Sequence, residues 1–159
     1  MMEKPEMMRV ADLIPHQSEM CLLERILEWN EERIQLAASS HRSATHPLKV
    51  DGRLRAVHLC EYGAQAMAVH GALKARAHGG TPKPGMLVSL RAVTFHRDFI
   101  DDLPNDLHVE AQCLQATTSS LQYQFRITHN DEVIAEGRAA VVLGTVQPVG
   151  REEKRHEKR

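Results

Sequence analysis

One stretch limits what this chain can fold into more than any other. Residues 63–77 read GAQAMAVHGALKARA, and eight of them are Gly or Ala: Gly63, Ala64, Ala66, Ala68, Gly71, Ala72, Ala75 and Ala77. A surface helix gains little from so many small side chains, whereas a helix that other parts of the chain must approach closely needs them. The run predicts one long central helix from about Ala56 to about Ala77, stopped by Gly79-Gly80, with a sheet wrapped around it. Glu61, near its start, is the single acidic residue between Asp51 and Asp98. A lone carboxylate among Leu59, Cys60, Tyr62 and Ala64 is paired, exposed on a thin polar face, or functional.

The segments on either side read as strands. From Cys21 to Ala38, two apolar runs flank Asn30-Glu31-Glu32, which predicts a hairpin. Residues 39–55 carry no clear period and read as a long ordered loop, a feature often tied to function. After the helix, Met86 to Ile100 reads as a strand. Leu107, Val109, Ala111 and Cys113, then Leu121, Tyr123, Phe125 and Ile127, alternate with mostly polar residues. Asn130-Asp131 makes a tight turn before Val133–Val146. Three long, hairpin-connected strands thus follow the helix and one hairpin precedes it, which predicts an α+β fold with an antiparallel sheet. RVADLI at 9–14 is expected to form a short helical turn ended by Pro15. The chain of 159 residues reads as a single domain over 1–146 followed by a charged, mobile tail at 147–159.

Composition removes several functional classes. The net charge of −1 gives no electrostatic footprint for nucleic acid, and aromatic residues make up only 4%. No run of ~18 apolar residues exists to span a membrane, and the first residues lack the apolar core of a signal peptide. Three scattered cysteines, Cys21, Cys60 and Cys113, fit free thiols in a reducing cytoplasm. Ten histidines invite a metal reading, yet there is no HExxH and no Cys pair at zinc-finger spacing. GxSxG, a Walker loop and GxGxxG are also missing. No metal and no cofactor are expected.

What remains is a histidine in the pre-helix loop and a glutamate on the helix. Such a pair can run proton transfer: the imidazole takes a proton from carbon and the carboxyl group gives one to a leaving oxygen. The first amides of the helix, at Ala56 and Val57, are candidates to face a developing oxyanion.

Four stretches then carry a resemblance: LIPHQSEMCLLERILEW, EYGAQAMAVHGAL, LRAVTFHRDFIDDLPNDLHVEAQ and DEVIAEGRAAVVL. Over about residues 10–143 the chain resembles the hot-dog 3-hydroxyacyl-[acyl-carrier-protein] dehydratases, most closely the dehydratase-like proteins of aryl-polyene-type biosynthesis. The resemblance implies a hot-dog fold, an antiparallel sheet around one long central helix. It implies dehydration of a 3-hydroxyacyl thioester on acyl carrier protein to the trans-2-enoyl thioester. It also implies a dimer, with itself or with another hot-dog subunit, whose sites take the histidine from one chain and the acid from the other. His46, followed by Pro47 and 15 positions before Glu61, fits the catalytic histidine, and Glu61 fits the catalytic carboxylate. Gln65 fits the helix glutamine that lines or supports the site, and the oxyanion donor falls near Ala56. His41 is the rival histidine. The loop departs from the family's Gly-His-Phe-Pro-Gly, reading Ala44-Thr45-His46-Pro47-Leu48. That departure keeps open a non-catalytic subunit paired with an active homologue. A hot-dog thioesterase, using the helix carboxylate to activate water, is the third reading. The excess of basic residues between 52 and 97, Arg53 and Arg55 among them, is a candidate contact for an acidic carrier protein.

Overall fold

A computed structural model describes Val10, Leu13 and residues 20–80 and 85–144. The elements run β1 (Arg25–Trp29), β2 (Arg33–Ala38), α1 (Leu59–Ala77), β3 (Gly85–Phe95), β4 (Leu107–Ala116), β5 (Ser120–His129) and β6 (Glu132–Leu143). The strands form one antiparallel sheet in the order β1-β2-β4-β5-β6-β3. Helix α1 packs on its β2, β4 and β5 region.

The small residues of the helix have a specific use. Phe125, fully buried on β5, has its ring between Gly63 of α1 and Gly137 of β6. A Cβ at Gly63 would lie 2.9 Å from the ring's Cγ, and one at Gly137 would lie 3.0 Å from its far edge. The close approach is therefore made by an aromatic side chain wedged between two missing ones. The helix buries most of its circumference, with Leu59, Tyr62, Ala66, Met67, Val69 and Leu73 in the core. It ends where Gly79 adopts a left-handed conformation (φ +76°), its N–H donating to the Arg76 carbonyl and that of Gly80 to Ala75 at 2.9 Å. This is the pair of hydrogen bonds that a glycine after the last turn permits.

Three expectations change in detail. The segment 39–55 has structure of its own: a 3-10 turn over Ser40–Arg42 and a tight turn at Asp51-Gly52. There Val50 and Arg53 exchange backbone hydrogen bonds of 2.9 and 3.0 Å. Asp-Gly tolerates the positive φ at both central positions. The strand expected to reach Ile100 stops at Phe95, because the chain then leaves β6 and pairs with the segment before the helix. The Ala56 N–H donates to the Asp98 carbonyl, and that of Ile100 to Leu54. Finally, the helix expected from about Ala56 begins at Leu59, after a 3-10 turn over Ala56–His58. In the sheet, the three hairpin-linked strands β4-β5-β6 lie between β2 and β3. Of the turn expected at 9–14, Val10 is buried and its carbonyl accepts from the Leu13 N–H. The rest of that turn, like the charged tail at 147–159, lies outside the described residues.

Candidate functional site

The loop after β2 carries His46 to the first turns of α1. Its ring is 5% exposed, and both nitrogens are engaged. The Leu48 backbone N–H donates to Nδ1 at 3.1 Å. An amide can only donate, so Nδ1 carries no proton and the neutral ring holds its hydrogen on Nε2. Nε2 lies 3.1 Å from the Tyr62 hydroxyl, which therefore accepts. Tyr62 Oη is 2.7 Å from Ser40 Oγ, and Ser40 Oγ donates to the Leu22 carbonyl at 2.8 Å. The direction of every bond follows from its two ends: Leu48 N–H to His46, His46 to Tyr62, Tyr62 to Ser40, Ser40 to Leu22. Flipping the ring would put carbon at both contact points and lose both bonds. Burial, then the charges of Lys49 and His58, push the His46 pKa down to about 4, so the ring is neutral at ordinary pH. Burial pushes the Tyr62 hydroxyl up to about 12, which keeps it a neutral link.

Glu61 sits in the first turn of α1, half-buried, and has no hydrogen bond or ion pair among the described residues. It precedes Tyr62, and successive helical residues point about 100° apart. No direct bond joins it to His46 within the chain. Gln65 is fully buried, and both ends of its amide are occupied: Oε1 accepts from the Leu22 N–H at 2.9 Å and Nε2 donates to the Met20 carbonyl at 2.6 Å. It ties the segment before β1 to the helix, a supporting contact rather than a lining one. Of the two candidate oxyanion donors, the Ala56 N–H is taken by Asp98. The Val57 N–H has no partner among the described residues, and its side chain is exposed. Val57 lies in the 3-10 turn Ala56–His58 that leads into α1, one turn ahead of Glu61, where unsatisfied amides favour negative charge.

A polar cavity of about 430 Å³ adjoins His46, with Cys21, Glu24, Ser39, Ser40, Arg42, Ser43 and Thr45 forming its other walls. A larger depression of about 650 Å³ lies by the β5–β6 turn, between His96, Leu103 and His129, and holds none of the candidate residues. His41 is fully buried. Its Nε2–H donates to the Leu103 carbonyl at 3.0 Å, and its Nδ1 has no partner among the described residues. Among the described residues, no group of three or more His, Cys, Asp or Glu side chains is placed to hold a metal ion. No helix there is long and apolar enough to cross a membrane.

Two polar nodes were not read from the sequence. One is the Tyr62–Ser40 link just described. The other is His70, fully buried, whose Nε2–H donates to the Asn30 carbonyl at 2.8 Å and whose Nδ1 accepts from the Tyr123 hydroxyl at 2.6 Å. A tyrosine or histidine inside an apolar run was the available signal, since such side chains need a partner when buried.

A family model, ApeP-like (ApeP dehydratase), matches residues 8–149. Among solved structures, the chain is similar to the dehydratase heterocomplex ApeI:P from Xenorhabdus doucetiae. That match has 20% identity and a TM-score of 0.78, covering 87% of this chain and 92% of that one. It is also similar to zebrafish thioesterase superfamily member 2, at 17% identity and a TM-score of 0.62, covering 85% and 91%. A variant of the phenylacetic acid degradation protein PaaI from Thermus thermophilus matches at 14% identity and a TM-score of 0.55, covering 74% and 90%. No curated protein sequence matches the chain. At these identities the structural likeness is one of fold, and that fold is the hot-dog: a six-stranded antiparallel sheet with one long helix.

Proposed function

Because the chain belongs to the ApeP-like dehydratase family, we propose that it is one subunit of a two-subunit dehydratase. The enzyme removes water from a 3-hydroxyacyl thioester on acyl carrier protein and leaves the trans-2-enoyl thioester. The observation that carries this reading is the Glu61 carboxylate in the first turn of the central helix, one turn after the Val57 amide, both without a partner among the described residues. In the reaction an imidazole takes the proton from C2, the Val57 N–H faces the thioester oxygen as negative charge develops, and the carboxylic acid of Glu61 protonates the C3 hydroxyl as it departs. Loss of one C–H and one C–O bond forms the double bond and one water. A working site spans the interface, pairing the loop imidazole of one subunit with the helix carboxylate of the other. In this chain the loop histidine is His46, both of whose ring nitrogens are engaged within the chain. The heterocomplex architecture of the ApeI:P relative supports a second hot-dog subunit as partner. Arg55, over the Phe99 ring at 5.1 Å and without an ion-pair partner among the described residues, supports docking of an acidic carrier beside the helix start.

A thioesterase reading has support from the zebrafish neighbour. A non-catalytic role in an active assembly has support from the occupied His46 ring. Mass analysis of a carrier-bound 3-hydroxyacyl thioester incubated with the assembled protein separates all three. Dehydration removes one water and leaves the acyl group on the carrier, a thioesterase frees the carrier thiol, and an inert assembly does neither.

A further inference from the structure

A proton acceptor needs a lone pair that the substrate can reach. His46 has none. The single lone pair of its neutral ring, on Nδ1, is occupied by the Leu48 amide, and Nε2 points a hydrogen at Tyr62. The chain of bonds continues through Ser40 to a backbone carbonyl, so no member can reverse its direction without stranding a buried donor or acceptor. Leu48 is two residues from His46, so the blocking amide is part of the same loop. His41 offers no replacement. Its Nδ1 lone pair is open, but its side chain has no accessible surface.

From this bonding pattern we infer that His46 is a hydrogen-bond donor that fixes Tyr62 and the 39–48 loop, and is not a proton acceptor in the reaction. On the dehydratase reading above, on which this inference rests, labour is then divided between the subunits. This chain supplies the acid, Glu61, to the site whose base is the partner subunit's imidazole. The reciprocal site, which would need His46 as base, is silent. An assembly of this chain with itself holds only silent sites and dehydrates nothing.

The test uses the complex of this chain with its hot-dog partner, and 3-hydroxybutyryl and 3-hydroxyoctanoyl thioesters on acyl carrier protein as substrates. His46→Gln keeps an N–H donor for Tyr62 and cannot accept a proton as an imidazole does. Turnover is expected within about threefold of the wild type for His46→Gln and at least ~10²-fold lower for Glu61→Gln. A fall in His46→Gln as deep as that in Glu61→Gln, in an intact complex, overturns the inference. The second measurement needs no substitution. The ring ¹⁵N spectrum of His46 in the wild-type complex at neutral pH should show a bare Nδ1 and a protonated Nε2, and a ring protonated on Nδ1 overturns the inference. If the wild-type complex removes no water, or Glu61→Gln turns over normally, the dehydratase reading fails, and the ring spectrum still decides the state of His46.

Discussion

Three buried imidazoles share one electrostatic condition at the residue scale. Burial pushes His70 and His46 down to about 4 from an ordinary 6.5, and lowers His41 as well. The unfolded chain therefore binds protons below about pH 6.5 that the folded chain refuses. The stability tied to these groups is present in full above that pH, and is lost as pH falls from about 6.5 toward 4. For fully buried His70, the change from pH 7 to pH 5 amounts to about 2 kcal/mol. Urea unfolding at the two pH values should show a loss of at least that size in the wild type and a smaller one in His70→Gln. A profile that is flat between them would contradict the assignment. Glu61 and His46 were legible in the sequence only as candidates, the first as a lone acid on an apolar helix and the second by the interval that the family resemblance implies. Their surroundings were not. Tyr62–Ser40 spans 22 residues and His70–Tyr123 spans 53, and only the assembled sheet brings such pairs together. The same holds for Ala56, whose candidate amide is occupied by a carbonyl 42 residues away, contributed by the segment after β3.

At the scale of elements, the glycines of α1 are not equivalent. An added methyl at Gly63 meets the Phe125 ring, whereas one at Gly71 meets nothing within 4 Å. Gly63→Ala should thus destabilise the protein by about 1–3 kcal/mol, as overpacking does. Gly71→Ala should stabilise it by up to ~1 kcal/mol through helix propensity. Paired denaturation curves check both signs, and equal effects would remove the wedge of Phe125 as the reason for a small-residue helix. Strands β4 and β5 were legible from alternation because one of their faces covers the helix. The place of β3 in the sheet was not, since the periodicity of a strand says nothing about its neighbours. Two of its apolar residues, Leu87 and Leu90, are exposed.

That difference sets the behaviour of the whole molecule. The sheet has two edges of opposite character. β1 is five residues long and carries Arg25 and Glu28, features that discourage further pairing. β3 is eleven residues long, with Arg91 as its single charge, and exposes Met86, Leu87, Val88 and Leu90. An edge of this kind attracts another strand, so the protein should sediment as an assembly of two hot-dog subunits joined at β3. Val88→Lys should shift it toward the single subunit, and a wild type that sediments as a monomer at micromolar concentration would count against paired β3 edges. A shared site cannot form without that assembly, so the same substitution should remove turnover while leaving α1 folded.

The dehydratase assignment is tested most directly by the fate of a 3-hydroxyacyl group on its carrier protein in the presence of the assembled wild type and of Glu61→Gln. Loss of one water with the thioester intact is expected, at a rate at least ~10²-fold lower once the carboxyl group is gone. Release of the carrier thiol, or a Glu61→Gln assembly that dehydrates as fast as the wild type, would contradict it.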